Sequence, residues 1–103
     1  MLARVKAWLL IKDLEEGSIR ENSDTVDKLR AIGPAAVTAL IRGLNNRKYR
    51  VKLECIRALG HIADPRAIPS LETLRGHHND VVRQYAEAAL QRIGKTNHAS
   101  GAN

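Results

Sequence analysis

Four histidines and one cysteine are the side chains with the most obvious chemistry in this 103-residue sequence. His77 and His78 are adjacent and Asp80 follows closely, a grouping that raises the question of a metal ion. Neighbouring residues on a turn seldom converge on one ion without ligands from elsewhere, and with a single cysteine there is no Cys pair to supply them. Cys55 invites a nucleophile reading, yet 31 positions later the same slot holds Ala86, which makes Cys55 a small core residue. There is no Gly-rich phosphate loop, no Ser-His-Asp order and no carboxylate pair at helical spacing beside a base. The expectation is a protein with no catalytic residues, no cofactor and no metal.

Charge carries more information. The net charge is +6, and it is uneven: residues 1–32 hold six basic and six acidic side chains, residues 33–79 eight basic and three acidic. The excess gathers in Arg42, Arg47, Lys48, Arg50, Lys52 and Arg57, around a turn that also carries Tyr49. One repeat later the corresponding turn is Gly76-His77-His78-Asn79. Successive turns of a stacked array lie on one edge, so Arg47, Lys48 and Arg50 are expected to join Arg75, His77 and His78 in a basic ridge. Such a ridge suits an acidic protein surface or a phosphate. A solvated edge that only keeps the domain soluble is the competing reading. Nucleic acid is the alternative ligand, but Tyr49 is the sole aromatic among the bases, where single-strand binding ordinarily uses several stacking rings.

The elements that hold this ridge emerge from an internal repeat. A step of 31 carries Val51 to Val82, Lys52 to Arg83, Cys55 to Ala86, Ala58 to Ala89, Leu59 to Leu90 and Ile62 to Ile93. The same step takes Val37 to Ile68 and Leu40 to Leu71, and a one-residue deletion near Gly33-Pro34 makes it 30 from Leu29 to Leu59. Inside each unit the apolar residues recur at helical spacing, as in Val51, Cys55, Ala58, Leu59 and Ile62, which predicts two helices per unit. Gly33-Pro34 and Asp64-Pro65 separate them, Gly60 loosens one helix end and Gly94 follows the last. The pattern predicts six helices, over 2–14, 23–32, 34–45, 47–62, 65–75 and 79–93. Ser23 or Asp24 is the expected cap of the second and Asn79 or Asp80 of the sixth. A longer connection over 15–22 breaks the spacing, and residues 96–103 read as a disordered tail.

Residues 58–74, ALGHIADPRAIPSLETL, resemble the HEAT-like repeats first described in phycobilin lyases. The Val-Arg element appears as Val51-Lys52 and Val82-Arg83, the Ala-Leu element as Ala58-Leu59 and Ala89-Leu90, and the turn as Asp64-Pro65-Arg66-Ala67-Ile68-Pro69. The resemblance implies an all-α fold, a short right-handed α-solenoid of about three helical hairpins occupying residues 1–95. Units 34–62 and 65–93 match well, and 1–32 is a degenerate first layer. It also implies that the helices following the Gly-Pro and Asp-Pro turns line the inner side. Deoxyhypusine hydroxylases share the repeat and bind di-iron through His-Glu pairs. Here His61 precedes Ile62, His77 precedes His78, His78 precedes Asn79 and His98 precedes Ala99, so that centre does not carry over. Chromophore attachment does not carry over either, because the repeat specifies packing. A lyase-like or metal-dependent enzyme subunit stays a minor alternative.

The first helix offers a second surface. Leu2, Val5, Trp8, Leu9, Leu10, Ile11 and Leu14 cover more of its circumference than one neighbour can bury, so Leu2, Val5 and Trp8 are candidate apolar anchors, with a core position the other reading of Trp8. The apolar run 7–11 lies between Lys6 and Lys12 and is too short to span a bilayer, which needs about 20 residues, or to serve as a secretory signal. With Arg4, Lys6 and Lys12 around it and no acid before Asp13, a transit peptide or membrane-surface helix is the alternative reading. A cytoplasmic protein-protein interaction module is therefore expected: an adaptor, accessory subunit or assembly factor for an acidic protein partner. Its incomplete ends leave end-to-end pairing of two copies open.

Overall fold

In the computed structural model, the described residues are 2–16 and 19–101, with side chains described over 2–15 and 24–95. They form six α-helices and no strand: α1 (Leu2–Glu16), α2 (Ile19–Ile32), α3 (Val37–Gly43), α4 (Tyr49–Ile62), α5 (Ile68–Leu74) and α6 (Asp80–Gly101). Short 3-10 turns at Gly33–Ala36 and Pro65–Ala67 lead into α3 and α5. The two inner helices predicted from Pro34 and Pro65 are thus composite, a proline-started 3-10 turn followed by two α-turns.

Helices α2, α4 and α6 form one layer, α2 against α4 and α4 against α6, while α1, α3 and α5 cover it. The molecule is a slab 42 by 34 by 21 Å, its thinnest dimension matching two helix diameters of about 10–12 Å each. The repeat accounts for the interior between the layers. Val51 and Val82, Cys55 and Ala86, and Leu40 and Leu71 are each fully buried pairs one step apart. Most of these residues belong to a single apolar cluster that extends from Ala7 and Leu14 of α1 to Ile93 of α6.

The helix ends follow from the turn chemistry. Gly33 ends the α2 segment at φ 73° and Ala63 ends α4 at φ 60°, both left-handed, and the two are equivalent at the 30-residue step. Glycine takes this conformation freely, whereas alanine is strained there by about 1–2 kcal/mol. Ala63→Gly is expected to raise unfolding free energy by about 0.5–1 kcal/mol, after the larger unfolded-state entropy of glycine is deducted. Urea denaturation of the two proteins side by side measures it, and a loss of stability would contradict the assignment.

Asp64 accepts from Arg66 N at 2.9 Å, and Arg66 Nη2 reaches back to donate to the Pro34 carbonyl at 2.9 Å. The Asp-Pro-Arg turn therefore clips one repeat to the previous one. Arg66 holds the Asp64 carboxyl below the usual carboxylate range, chiefly through their side-chain hydrogen bond. At the start of α6, Asn79 Oδ1 accepts from Val81 N at 2.8 Å and Val82 N at 3.3 Å, the expected cap.

Helix α6 runs from Asp80 to Gly101, and Ala102 and Asn103 lie outside the described residues. Two expectations need correction. Helix α2 begins at Ile19, so Ser23 and Asp24 lie inside it and not at its start, and the predicted long connection is helical at both ends. Gly60 does not loosen a helix end. It is buried where α6 crosses α4, and a Cβ there would meet Cα and Cβ of Ala89 at 3.1 Å, so glycine permits the close approach of the two helices.

Candidate partner-binding site

Two surfaces collect the residues singled out by sequence. The first is a groove of about 290 Å³ between α1 and α3. Arg4, Val5 and Trp8, one helical turn apart on α1, form one wall; Ala35, Thr38, Ala39 and Arg42 form the other. Small residues on the second wall leave room beside the indole. Trp8 is 50 % exposed and Val5 51 %, although Ala7, Leu10, Ile11 and Leu14 on the adjoining stripe of α1 are buried. Lys12 Nζ sits 4.8 Å from the centroid of the Trp8 ring, a cation–π distance. The groove is apolar at its floor and rimmed by cations, with no acidic residue in its lining.

Of the predicted anchors, Val5 and Trp8 lie in this groove. Leu2 is 86 % exposed one turn before it and does not line it. Arg42, grouped by sequence with the basic turn, belongs to the groove instead, because its place in α3 aims it toward α1. Arg4 was missed. Its signal was available, four residues before Trp8 on the same helical face.

The second surface is a shallow depression of about 140 Å³ lined by Arg47, Tyr49, Lys52, His77, His78 and Asn79. Two successive inter-repeat turns do meet here. Tyr49 donates its hydroxyl to Asn79 Oδ1 at 3.2 Å, and Lys52 Nζ stands 3.3 Å from His77 Nε2. The His77 and His78 rings stack, with centroids 4.2 Å apart.

Three members of the expected ridge are placed otherwise. Lys48 donates to the Glu15 carbonyl, and Asn46 donates to Glu15 Oε1 at 2.7 Å, so this side of the turn is fastened to the end of α1. Arg75 is held between Glu72 at 2.9 Å and Glu87 at 3.0 Å, which largely neutralises it. Arg50 is exposed in the first turn of α4, outside the lining of the depression. Arg83, which sequence reasoning left in the Val-Arg element, donates to the His77 carbonyl at 2.6 Å and pairs with Asp80. It buttresses the depression from behind.

Cys55 is fully buried, and burial pushes its thiol up to about 12, which leaves no thiolate near neutral pH. Among the described residues no three His, Cys, Asp or Glu side chains are grouped to hold a metal ion, and no helix is long and apolar enough to cross a membrane.

A family model for HEAT repeats matches residues 9–91, from the middle of α1 to the last full turns of the packed part of α6. The chain belongs to the HEAT-repeat family. No curated protein matches it. The HEAT architecture explains why both surfaces lie where they do: the groove separates two helices of one layer, and the depression joins two turns on one edge.

His61, on α4 of this HEAT array, is the other histidine of physical interest. Its Nδ1 is buried and has no hydrogen-bond partner among the described residues. Burial first, then the charges of Arg30, Arg92 and Arg57, lower its pKa, with Asp27 opposing. The fold thus favours neutral His61. That contribution is present above about pH 6.5, the ordinary histidine value, and is lost as the pH falls from there through the lowered folded-state value. Melting temperature should fall between pH 7 and pH 5, and His61→Gln should flatten the fall, leaving the part due to His77, whose pKa is lowered too. An unchanged slope in His61→Gln would contradict this.

Proposed function

We propose that this HEAT-repeat protein is a non-catalytic interaction module whose groove between α1 and α3 holds an acidic, apolar-anchored segment of a protein partner. The observation that carries this reading is the half-exposed indole of Trp8 in a groove rimmed by Arg4 and Arg42 and lined by no acid. An exposed tryptophan beside small residues is a favourable anchor point, because a partner's apolar side chain excludes water from it at little entropic cost. The arginines then select acidic flanks on that segment, and steer its approach. The net charge of +6 acts in the same direction at longer range.

The same reading takes the repeats to be of the phycobilin-lyase HEAT-like type, on the strength of the Asp64-Pro65-Arg66 turn that clips to Pro34. It treats the repeats as scaffold and assigns them no chromophore chemistry.

A photo-crosslinking amino acid at Thr38, which lines the groove, tests the reading in cells of the native source. The expected adduct is one protein, crosslinked through a segment in which apolar residues alternate with Asp and Glu. Adducts spread over many unrelated proteins, or a single adduct on a basic segment or a nucleic acid, would overturn it.

A further inference from the structure

The depression between the two turns contains a conflict of hydrogen-bond donors. His77 Nδ1 lies 3.0 Å from the backbone N–H of Asn79. One repeat earlier the equivalent slot is Asn46, whose Oδ1 accepts from the backbone N–H of Lys48 at 2.8 Å. The slot therefore calls for an acceptor that closes the turn, and His77 supplies it through Nδ1. A neutral imidazole accepting at Nδ1 carries its proton on Nε2. That N–H faces Lys52 Nζ at 3.3 Å, and an ammonium has nothing but donors. Exchanging the tautomer does not help, because Nδ1–H would then face the Asn79 N–H. Either way two donors confront each other, with no acceptor between them.

Around this pair the charge is positive. Arg47 lines the same depression and has no ion-pair partner among the described residues. No acidic side chain is part of the lining. An oxyanion is the species that resolves the conflict: one oxygen accepts from His77 Nε2–H and Lys52 together, and others face Arg47. Two cations and one neutral donor match a dianion better than a monoanion. A phosphate monoester carries close to two negative charges at neutral pH, and a phosphodiester or a carboxylate carries one.

We propose that Arg47, Lys52 and the Nε2–H of His77 form a binding site for a phosphate monoester, presented as a phosphorylated side chain of the acidic protein partner. The site itself stands on the local geometry, and its assignment to a partner side chain rests on the function proposed above. Polynucleotide is disfavoured because Tyr49 is the only ring besides the histidines at the depression, and its hydroxyl is tied to Asn79.

Titrating the full-length ¹⁵N-labelled protein with inorganic phosphate at constant ionic strength tests the site, with the side-chain nitrogen resonances of His77 as readout. A saturable shift at His77 is expected, weakened about tenfold or more in Lys52→Met and in Arg47→Gln, and unchanged in Arg57→Gln, whose arginine is paired with Glu54. No saturable shift, the same shift with chloride alone, or full retention in Lys52→Met would overturn the site. A phosphoserine peptide with acidic flanks and its unphosphorylated form test the source: at least about tenfold preference for the phosphorylated form is expected. Equal binding of the two, or tighter binding of an RNA oligonucleotide through His77, would overturn the assignment to a phosphorylated side chain. Trp8 fluorescence followed in the same titrations keeps the readings apart, because an acidic apolar peptide that perturbs Trp8 without touching His77 sinks this inference and leaves the groove intact.

Discussion

Trp8→Ala should weaken the partner complex by about 2 kcal/mol or more, roughly thirtyfold in Kd, the scale of a tryptophan hot spot at a desolvated contact. Trp8 is half exposed, so the same change removes part of a packing contact as well. Folding stability is expected to drop far less than binding, because α1 is anchored in the core by its buried residues Ala7, Leu10, Ile11 and Leu14, which the substitution leaves in place. Isothermal titration with the crosslinked partner segment, paired with thermal denaturation of the free protein, separates the two effects. A loss of binding matched by an equal loss of stability would make Trp8 a core residue and remove the groove from the account.

Leu40→Ala carries the second large effect, and it acts on the fold. Leu40 is completely buried in α3, in the apolar cluster shared by both layers. Truncation should cost about 2–5 kcal/mol, a large part of the roughly 5–15 kcal/mol that holds a typical domain together. Leu71→Ala, one repeat on and equally buried, should cost a similar amount if the repeats are structurally equivalent. Leu90→Ala, at a partly buried position, should cost clearly less. Urea denaturation of the three variants measures the series, and near-equal small losses, below about 1 kcal/mol each, would contradict the packing scheme.

The sequence carried the fold well because an apolar period of 31 residues leaves few alternatives. Small residues repeat as small and large as large, Cys55 with Ala86 and Leu40 with Leu71, and each such pair is buried in both repeats. The Asp-Pro-Arg turn was legible for the same reason, since only local chemistry is needed to form it. What the sequence concealed depends on the register between helices. Gly60 looked like a weak helix position until Ala89 was found 3.1 Å from where its Cβ would be. Arg75 looked like part of a cationic ridge until Glu87, on the next helix, was found beside it. Arg42 and Arg4 are 38 positions apart and become neighbours only when α3 lies along α1.

The start of α2 is a different failure. Residues 19–22 lack the apolar spacing that marks a buried helix, and the polar Ser23 and Asp24 resembled a cap. Cap-forming residues inside a helix are tolerated where the element is held by packing further along, here through Val26 and Leu29. The basic ridge was half legible: its two turns do meet, but its charge is reduced to Arg47 and Lys52 around His77, with Lys48 and Arg75 engaged elsewhere.

The central claim is that Arg4 and Arg42 read acidic residues of a partner seated on Trp8. A charge swap tests it most directly: Arg4→Glu with Arg42→Glu in this protein, combined with Lys in place of the acids flanking the crosslinked segment. Either set of substitutions alone should weaken the complex at least about tenfold, and the two together should restore most of the affinity. Unchanged affinity in the Arg4→Glu, Arg42→Glu protein, or no recovery when both sides are reversed, would contradict the account.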